Sequence, residues 1–492
     1  MAFCDAQNLT DGLRYSLEEP TGTARYTAMS GAFGALGGDF SALSINPAGG
    51  AVFLTNGGVL SLAILDRENN NTYFGTDTRS IDTDVNISQA GAIFVFDNTN
   101  NESDWKKFTI GVNYNLNRNL SNDLFFQGTG NNSIDGFFLQ QAQGIPLDLL
   151  QLRPGESISD LYDFLGETEG TSAQNALLGY QGYIFDPVSD DGGNTQYTSN
   201  IASGLFNQEY SKLSEGYVGK YTLNIATQYT DDYYFGINLN SHIIDYSESK
   251  LLFEANNNDG SLVKSVVFEN NLSVLGSGFS AQIGGIAKIG DQFRLGINYD
   301  TPTWYTISEE TTQFLETERL VDNQVLTERI NPRVLNIYKD YQLRTPAKIG
   351  ASAAYVLSEK GLISFDYNYK NYAGITFGPD ADAYFQEQNR IIENNLQGAS
   401  SYRLGGEYRI DRLSLRGGLR YEESPYQDEE LMSSLEGFSL GLGYNGGNFH
   451  FDVAYARAEQ SQKQQLYSVG LTDSASIDTI YSNVVLTLGF SL

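Results

Sequence analysis

The chain has 492 residues, with 60 Asp and Glu against 30 Lys and Arg, and a formal net charge of −30 at pH 7. Such acidity argues against nucleic acid, whose phosphates need a basic surface, so no nucleic-acid partner is expected, and a single cysteine, Cys4, excludes an intramolecular disulfide framework. No apolar run approaches the ~18 residues a membrane helix needs, so any span of a membrane must be built from strands.

In chain order, residues 1–6 read as the tail of a signal peptide cut before Gln7, because small residues occupy the two positions a signal peptidase inspects. Residues 7–53 do not alternate cleanly. They carry a run of small residues from Gly22 to Asp39, then Ser41 to Gly50 with the triplet Asn46, Pro47, Ala48. Pro47 limits local backbone freedom, and Asn46 suits a turn that bonds neighbouring backbone before the first strand.

From about residue 54 onward one pattern repeats: some ten residues of apolar/polar alternation, then a connection. Phe108 to Asn117 is typical, and Tyr221 to Tyr229, Tyr233 to Asn240, Phe293 to Asp300, Phe438 to Tyr444 and Val484 to Leu492 share it. Period two means a strand with two unlike faces. One face carries Asn113, Asn115, Asn224, Gln228, Asn238, Asn240 and Asn298 among many glycines, as a wet or plugged lumen would; the other carries Leu, Ile, Val and Phe, with Tyr towards strand ends. Six short connections alternate with seven long ones, near residues 66–87, 118–216, 247–271, 307–342, 376–397, 422–434 and 459–477. The expectation is an all-β fold, a 14-stranded antiparallel transmembrane β-barrel over residues 54–492, closed so that no strand edge faces lipid. An even count puts both barrel ends on the short-turn side, so the N- and C-termini are expected to be periplasmic.

The connection 118–216 is far longer than structureless loops usually are. Residues 145–152 and 158–165 read as short amphipathic helices, and Leu147, Leu150, Leu161, Tyr162 and Phe164 are candidates for an apolar groove at the outer mouth, or for packing that makes the loop a lid. Further on, Asp411-Arg412 reads as a two-residue hairpin turn, which sets register. Glu407 then faces Arg416, whereas Arg403 faces Arg420, all on the lumen side. Opposed arginines repel unless an anion joins them, so Arg403 and Arg420, with Lys348 at similar depth, form a candidate anion site. Its carboxylate is either an internal one, such as Glu18, Glu19 or Asp39, or the head group of a ligand.

The stretch Gly22–Asp39, the Asn46-Pro47-Ala48 triplet and Thr345 to Tyr355 resemble corresponding segments of the FadL/TodX family of outer-membrane transport proteins, particularly Bacteroidetes members. The resemblance implies that residues 7–53 form a hatch inside the lumen. It also implies uptake of a hydrophobic small molecule, a long-chain fatty acid or similar lipid or hydrocarbon. Such a ligand would be caught by extracellular loops, passed to a lumen pocket and released through a kink in the third strand. Here that strand is Phe108 to Asn117, with Gly111 as the cheapest place to kink and Asn113 and Asn115 beside it. Some Bacteroidetes relatives serve protein secretion, which makes an accessory or docking barrel with a secretion-system subunit the alternative. Outer-membrane lipid and lipopolysaccharide are expected neighbours. Enzymatic chemistry is not expected: His242 and His450 lack a Ser/Asp constellation and metal-ligand spacing, and neither cofactor nor metal is implied.

Overall fold

The computed structural model describes residues 7–100, 102–322 and 324–491; the expected leader remnant, residues 1–6, lies outside them. Fourteen antiparallel strands form the wall. They are β1 (Gly57–Tyr73), β2 (Thr76–Asp97), β3 (Trp105–Asn119, continued by Asn122–Gly130), β4 (Phe206–Tyr229), β5 (Tyr233–Ala255), β6 (Val263–Ile289) and β7 (Phe293–Asp300 with Trp304–Val321). The second half comprises β8 (four pieces from Gln324–Ile330 to Lys348–Val356), β9 (Gly361–Asn371 with Thr376–Gly378), β10 (Gly398–Ile410), β11 (Leu413–Glu422), β12 (Leu435–Asn445), β13 (Phe449–Gln465) and β14 (Ser474–Ser491). β14 pairs with β1 from Gly57↔Ser491 to Thr72↔Ser476 and closes the barrel.

Leu60, Leu62 and Ile64 on β1, Phe235, Ile237 and Leu239 on β5, and Leu413, Leu415 and Leu419 on β11 all point outward and exposed. With Tyr402, Tyr421 and Tyr444 near its margins, this belt is the lipid-facing band of a membrane barrel. Several strands run far beyond it. The expected connection 66–87 is mostly strand, turning only at Phe74-Gly75, and the expected loop 118–216 begins with strand to Gly130 and ends with strand from Phe206. Beyond the belt the alternation changes phase. On β5, Ile243 faces outward, but Ile244, Tyr246 and Leu252 are buried inside, while Asp245 and Ser247 face water.

Those inward apolar residues support a lid. Its helices, Asp135–Ala142, Ile158–Thr168 and Thr171–Gln181, bury Phe137, Phe138, Leu165 and Leu177 against Phe126, Tyr210, Phe268 and Leu315 of the extended wall. Leu147, Leu150, Leu161 and Tyr162 are inside this same cluster, 0–4% exposed, and Phe164 alone is open at 44%. The five therefore do not line an outer groove. They are lid interior because the extended strands offer an apolar wall on which the loop condenses.

Residues 7–53 lie within the barrel, as three short helices, Leu9–Ser16, Ala24–Ala28 and Phe40–Ile45, and a 3-10 turn, Pro47–Val52, and the exposed residues 54–56 lead into the first strand. The first is capped by Asn8, whose side chain accepts from Thr10 and Asp11 N–H while Asp11 accepts in return from Asn8 N–H. Its apolar side, Leu13 and Tyr15, packs on Ile307, Tyr341, Phe377 and Phe385. These belong to the long-connection half, so the described beginning of the chain sits at the end opposite the short turns. Ser491 lies at the short-turn end, beside Gly57.

Candidate lumen site and wall seam

The internal segment is seated where the wall lacks side chains. Asn46 Oδ1 accepts from Ala48 N–H, and Asn46 Nδ2 donates to the carbonyls of Gly34, Gly285 and Ile297 at 2.8, 3.1 and 3.3 Å. Asn224 Nδ2 donates to Pro47 O at 2.9 Å. Gly236 and Gly284 are directly paired on β5 and β6, and a Cβ on Gly236 would lie 2.3 Å from the carbonyl carbon of Pro47. Asn46, Pro47 and Ala48 thus anchor the segment against unbroken ladder, away from any gap in the wall. A second anchor is ionic: Glu407 accepts from Arg25 of the internal segment at 2.8 Å and from Arg416 at 2.7 Å, and Arg416 also reaches Asp452.

Gly111 is paired on both sides, with Ile93 and Asn224, and the third strand does not kink there. Asn113 and Asn115 face the lumen: Asn113 accepts from Gln89 Nε2 at 3.1 Å, and Asn115 Oδ1 accepts from Ser44 Oγ at 2.7 Å. The irregularity comes just beyond them. The β2–β3 ladder ends at Gln89↔Asn115, and the β3–β4 register slips between Leu116 and Arg118. Above that point the described residues of β2 and β3 share no ladder. Side chains bridge the two higher up, where Thr78 Oγ1 donates to Phe125 O at 2.9 Å and Ser121 Oγ to Asp84 at 3.2 Å. Between these levels the seam is filled from inside. Glu19 N–H donates to Asn117 O at 3.1 Å, Thr21 Oγ1 to Leu116 O, and Ser88 Oγ to Gly22 O at 2.9 Å.

Behind this filling lies a cavity of about 140 Å³, lined by residues 17–21 of the internal segment and by Asn115 to Arg118 of β3. Arg403, Arg420 and Lys348 also line it, so the structure gathers all three sequence candidates at one site. Arg403 is directly opposite Arg420, and Glu407 opposite Arg416, as the hairpin register requires. The arginine pair does not meet an internal-segment carboxylate. Both guanidinium groups lean on Glu422 of their own hairpin, at 3.3 and 3.7 Å, and Arg403 Nη1 donates to Tyr26 Oη at 3.2 Å. Glu18 instead bridges a second like-charged pair, Lys348 opposite Lys370, at 2.8 and 2.9 Å, with Asp300 behind Lys348 at 2.9 Å. Glu19 lies 3.7 Å from Arg118 and 3.8 Å from Arg67, and Asp39 caps the helix at Phe40 by accepting from Ser41 N–H. Lys370, Lys220 and Arg118 were missed by sequence reasoning. The short β8–β9 turn carried the signal for Lys370, since its register sets Lys348 against it.

Elsewhere, His242 is buried and bonded to Ser280 at 2.8 Å, and no group of three or more metal-ligating side chains occurs among the described residues. No protein-family model and no curated protein sequence matches the chain. Solved structures do match. A FadL homologue of Pseudomonas aeruginosa is similar with a TM-score of 0.56 at 11% identity, covering 97% of this chain and 99% of that one. The toluene transporter TodX of Pseudomonas putida is similar with a TM-score of 0.53 at 14% identity, covering 96% and 99%. The chain therefore has the FadL-type fold: a closed antiparallel barrel of fourteen strands whose N-terminal helices lie in the lumen.

Proposed function

We propose that this protein is an outer-membrane channel for the uptake of hydrophobic compounds, long-chain fatty acids or similar lipids and hydrocarbons. The observation that carries the reading is the contact between cavity and seam: at cavity level, residues 19–22 hydrogen-bond both β2 and β3 across the gap between them. A compound that enters under the lid and reaches the cavity is one peptide segment away from the outer rim of the lipid belt. The fold shared with a toluene transporter supports the same reading. Sideways release suits apolar cargo, because the hydrocarbon of the bilayer receives it without passage through water.

The experiment is uptake of a radiolabelled fatty acid and of a neutral hydrocarbon by cells lacking their own channel and expressing this one. Uptake of either above the empty-vector level is expected. A folded barrel, verified by its shifted mobility in unboiled gels, that carries neither would overturn the proposal and leave the accessory role in secretion as the better account.

A further inference from the structure

Six cationic side chains line the cavity, Arg118, Lys220, Lys348, Lys370, Arg403 and Arg420, against four carboxylates, Glu18, Glu19, Glu422 and Glu423. In a chain of net charge −30 this is a local reversal of sign. Five of the six cations have an ion-pair partner within 4 Å. Lys220 is 7% exposed, lines the cavity, and forms no ion pair among the described residues. Arg403 Nε is likewise buried without a hydrogen-bond partner. A buried ammonium and a buried N–H facing a cavity are binding capacity that the protein itself leaves unused.

Glu18 stands apart from the groups it joins. Its side chain is 37% exposed, against 13% for Lys348 and 11% for Lys370. Of the ion-paired groups in this cluster it is the most exposed, and so the one a solute can reach and replace. It also sits at the root of the segment that fills the seam, whose bonds to β3 and β2 are made by Glu19, Thr21 and Gly22. The cavity itself, at about 140 Å³, has room comparable to a site that holds one benzene. A head group fits; a long chain does not unless residues 17–22 move.

We propose that Glu18 is a tethered stand-in for the carboxylate of an acidic amphiphile. The amphiphile exchanges for it at Lys348, Lys370 and Lys220, and the exchange releases residues 17–22 from the seam. The inference rests on the channel reading and narrows it: an anionic head group is the key, and a neutral compound of the same length lacks it. Because the incoming carboxylate takes over the same lysines, no buried charge is stranded during the exchange, whereas simple withdrawal of Glu18 would leave Lys370 without a carboxylate, opposite a Lys348 held by Asp300 alone.

The test uses the full chain in a Cys4→Ser background, with octanoate and 1-octanol as probes. Glu18→Gln removes the internal competitor, so octanoate is expected to bind about tenfold more tightly, as when a competent state populated near a tenth becomes the dominant one. Lys220→Met touches no existing ion pair and is expected to weaken octanoate binding several-fold while leaving 1-octanol binding alone. A reporter thiol at Thr21→Cys is expected to react with maleimide faster in octanoate, not in 1-octanol. Unchanged or weaker octanoate binding by a correctly folded Glu18→Gln barrel, or equal exposure of the reporter by both probes, would overturn the exchange. Neutral hydrocarbon uptake in the cell assay separates the two claims: if it persists alongside such a result, the exchange fails and the channel stands.

Discussion

Replacing Gly236 by alanine tests whether the internal segment is held by close approach to the wall. The new Cβ would lie 2.3 Å from Pro47 C, 2.4 Å from Pro47 O and 2.6 Å from Ala48 N. All three are backbone atoms, and Pro47 has little torsional freedom with which to yield. The turn must retreat by roughly 1 Å to restore ordinary contact. The Asn46 bonds to Gly285 and Ile297, at 3.1 and 3.3 Å, are then stretched past useful length. Overpacking of this kind costs about 1–3 kcal/mol, and two weakened bonds add about 1 kcal/mol each. A net cost of about 3 kcal/mol moves the seated/unseated ratio by roughly a hundredfold. The assay is ionic leak through single barrels in a planar bilayer, because an unseated segment leaves a water path. Gly417→Ala is the control: it faces lipid, and its Cβ would meet nothing closer than 3.7 Å. Leak by Gly236→Ala no greater than that of Gly417→Ala, in barrels with normal gel mobility, would refute the seating argument.

Named contacts in the lid and lumen give three further expected outcomes. Burial pushes the Glu254 carboxyl up to about 7, although it accepts from Ile134 N–H and Gln208 Nε2 at 2.9 and 2.8 Å. The folded lid therefore holds a proton that an opened lid releases, so lid stability is greatest at low pH and is lost as pH rises from the ordinary carboxyl range to about 7, on the order of 3 kcal/mol in all. Glu254→Gln should abolish this slope, read as hydrogen-exchange protection of residues 133–142 against the parent at matched pH; equal protection at about pH 8 would contradict it. Glu407→Gln leaves Arg25, Arg409 and Arg416 around a neutral amide and should destabilise the seated segment by about 3–5 kcal/mol, seen as leak in the same bilayer assay. Phe138→Ala, in the lid core, should cost about 3–5 kcal/mol, exposing the lid helix Thr171–Gln181 to proteolysis while the barrel keeps its gel mobility.

The strand count and hairpin register were legible because both derive from period-two alternation and turn length, which are local. Arg403 opposite Arg420 needed only a two-residue turn to be placed. The lid was not legible as a lid. On β5 the pair Ile243-Ile244 marks the change from an apolar outer face to an apolar inner one, and a pattern read in one phase takes the strand beyond that change for loop. The partners of the lumen cations were hidden for another reason. Glu18 and Lys348 are 330 residues apart, and neither alternation nor spacing encodes how a non-repeating segment threads a lumen. The seam differed from expectation by about six residues along β3, from Gly111 to Asn117, because a glycine inside a strand marks low cost for a bend without demanding one.

Two like-charged pairs at one level of the lumen, Arg403 with Arg420 and Lys348 with Lys370, are poor choices for holding a barrel together. Directly opposed cations weaken a ladder, and well-packed apolar pairs would serve it at least as well as buried ions. Each pair is instead bridged by one carboxylate, with Asp300 also on Lys348, and the two bridges differ. Glu422 belongs to the same hairpin as the arginines, so its position is fixed with theirs and its loss would require the wall to open. Glu18 is brought from a separate segment that also fills the seam, so Lys370 is neutralised only while that segment stays seated, whereas Lys348 keeps Asp300 of the wall. The wall thus carries one permanent and one removable neutralisation side by side, and the removable one borders both the unpaired Lys220 and the β2–β3 gap. For anchorage alone, a second fixed carboxylate like Glu422 would do; a removable one gives an arriving anion something to replace.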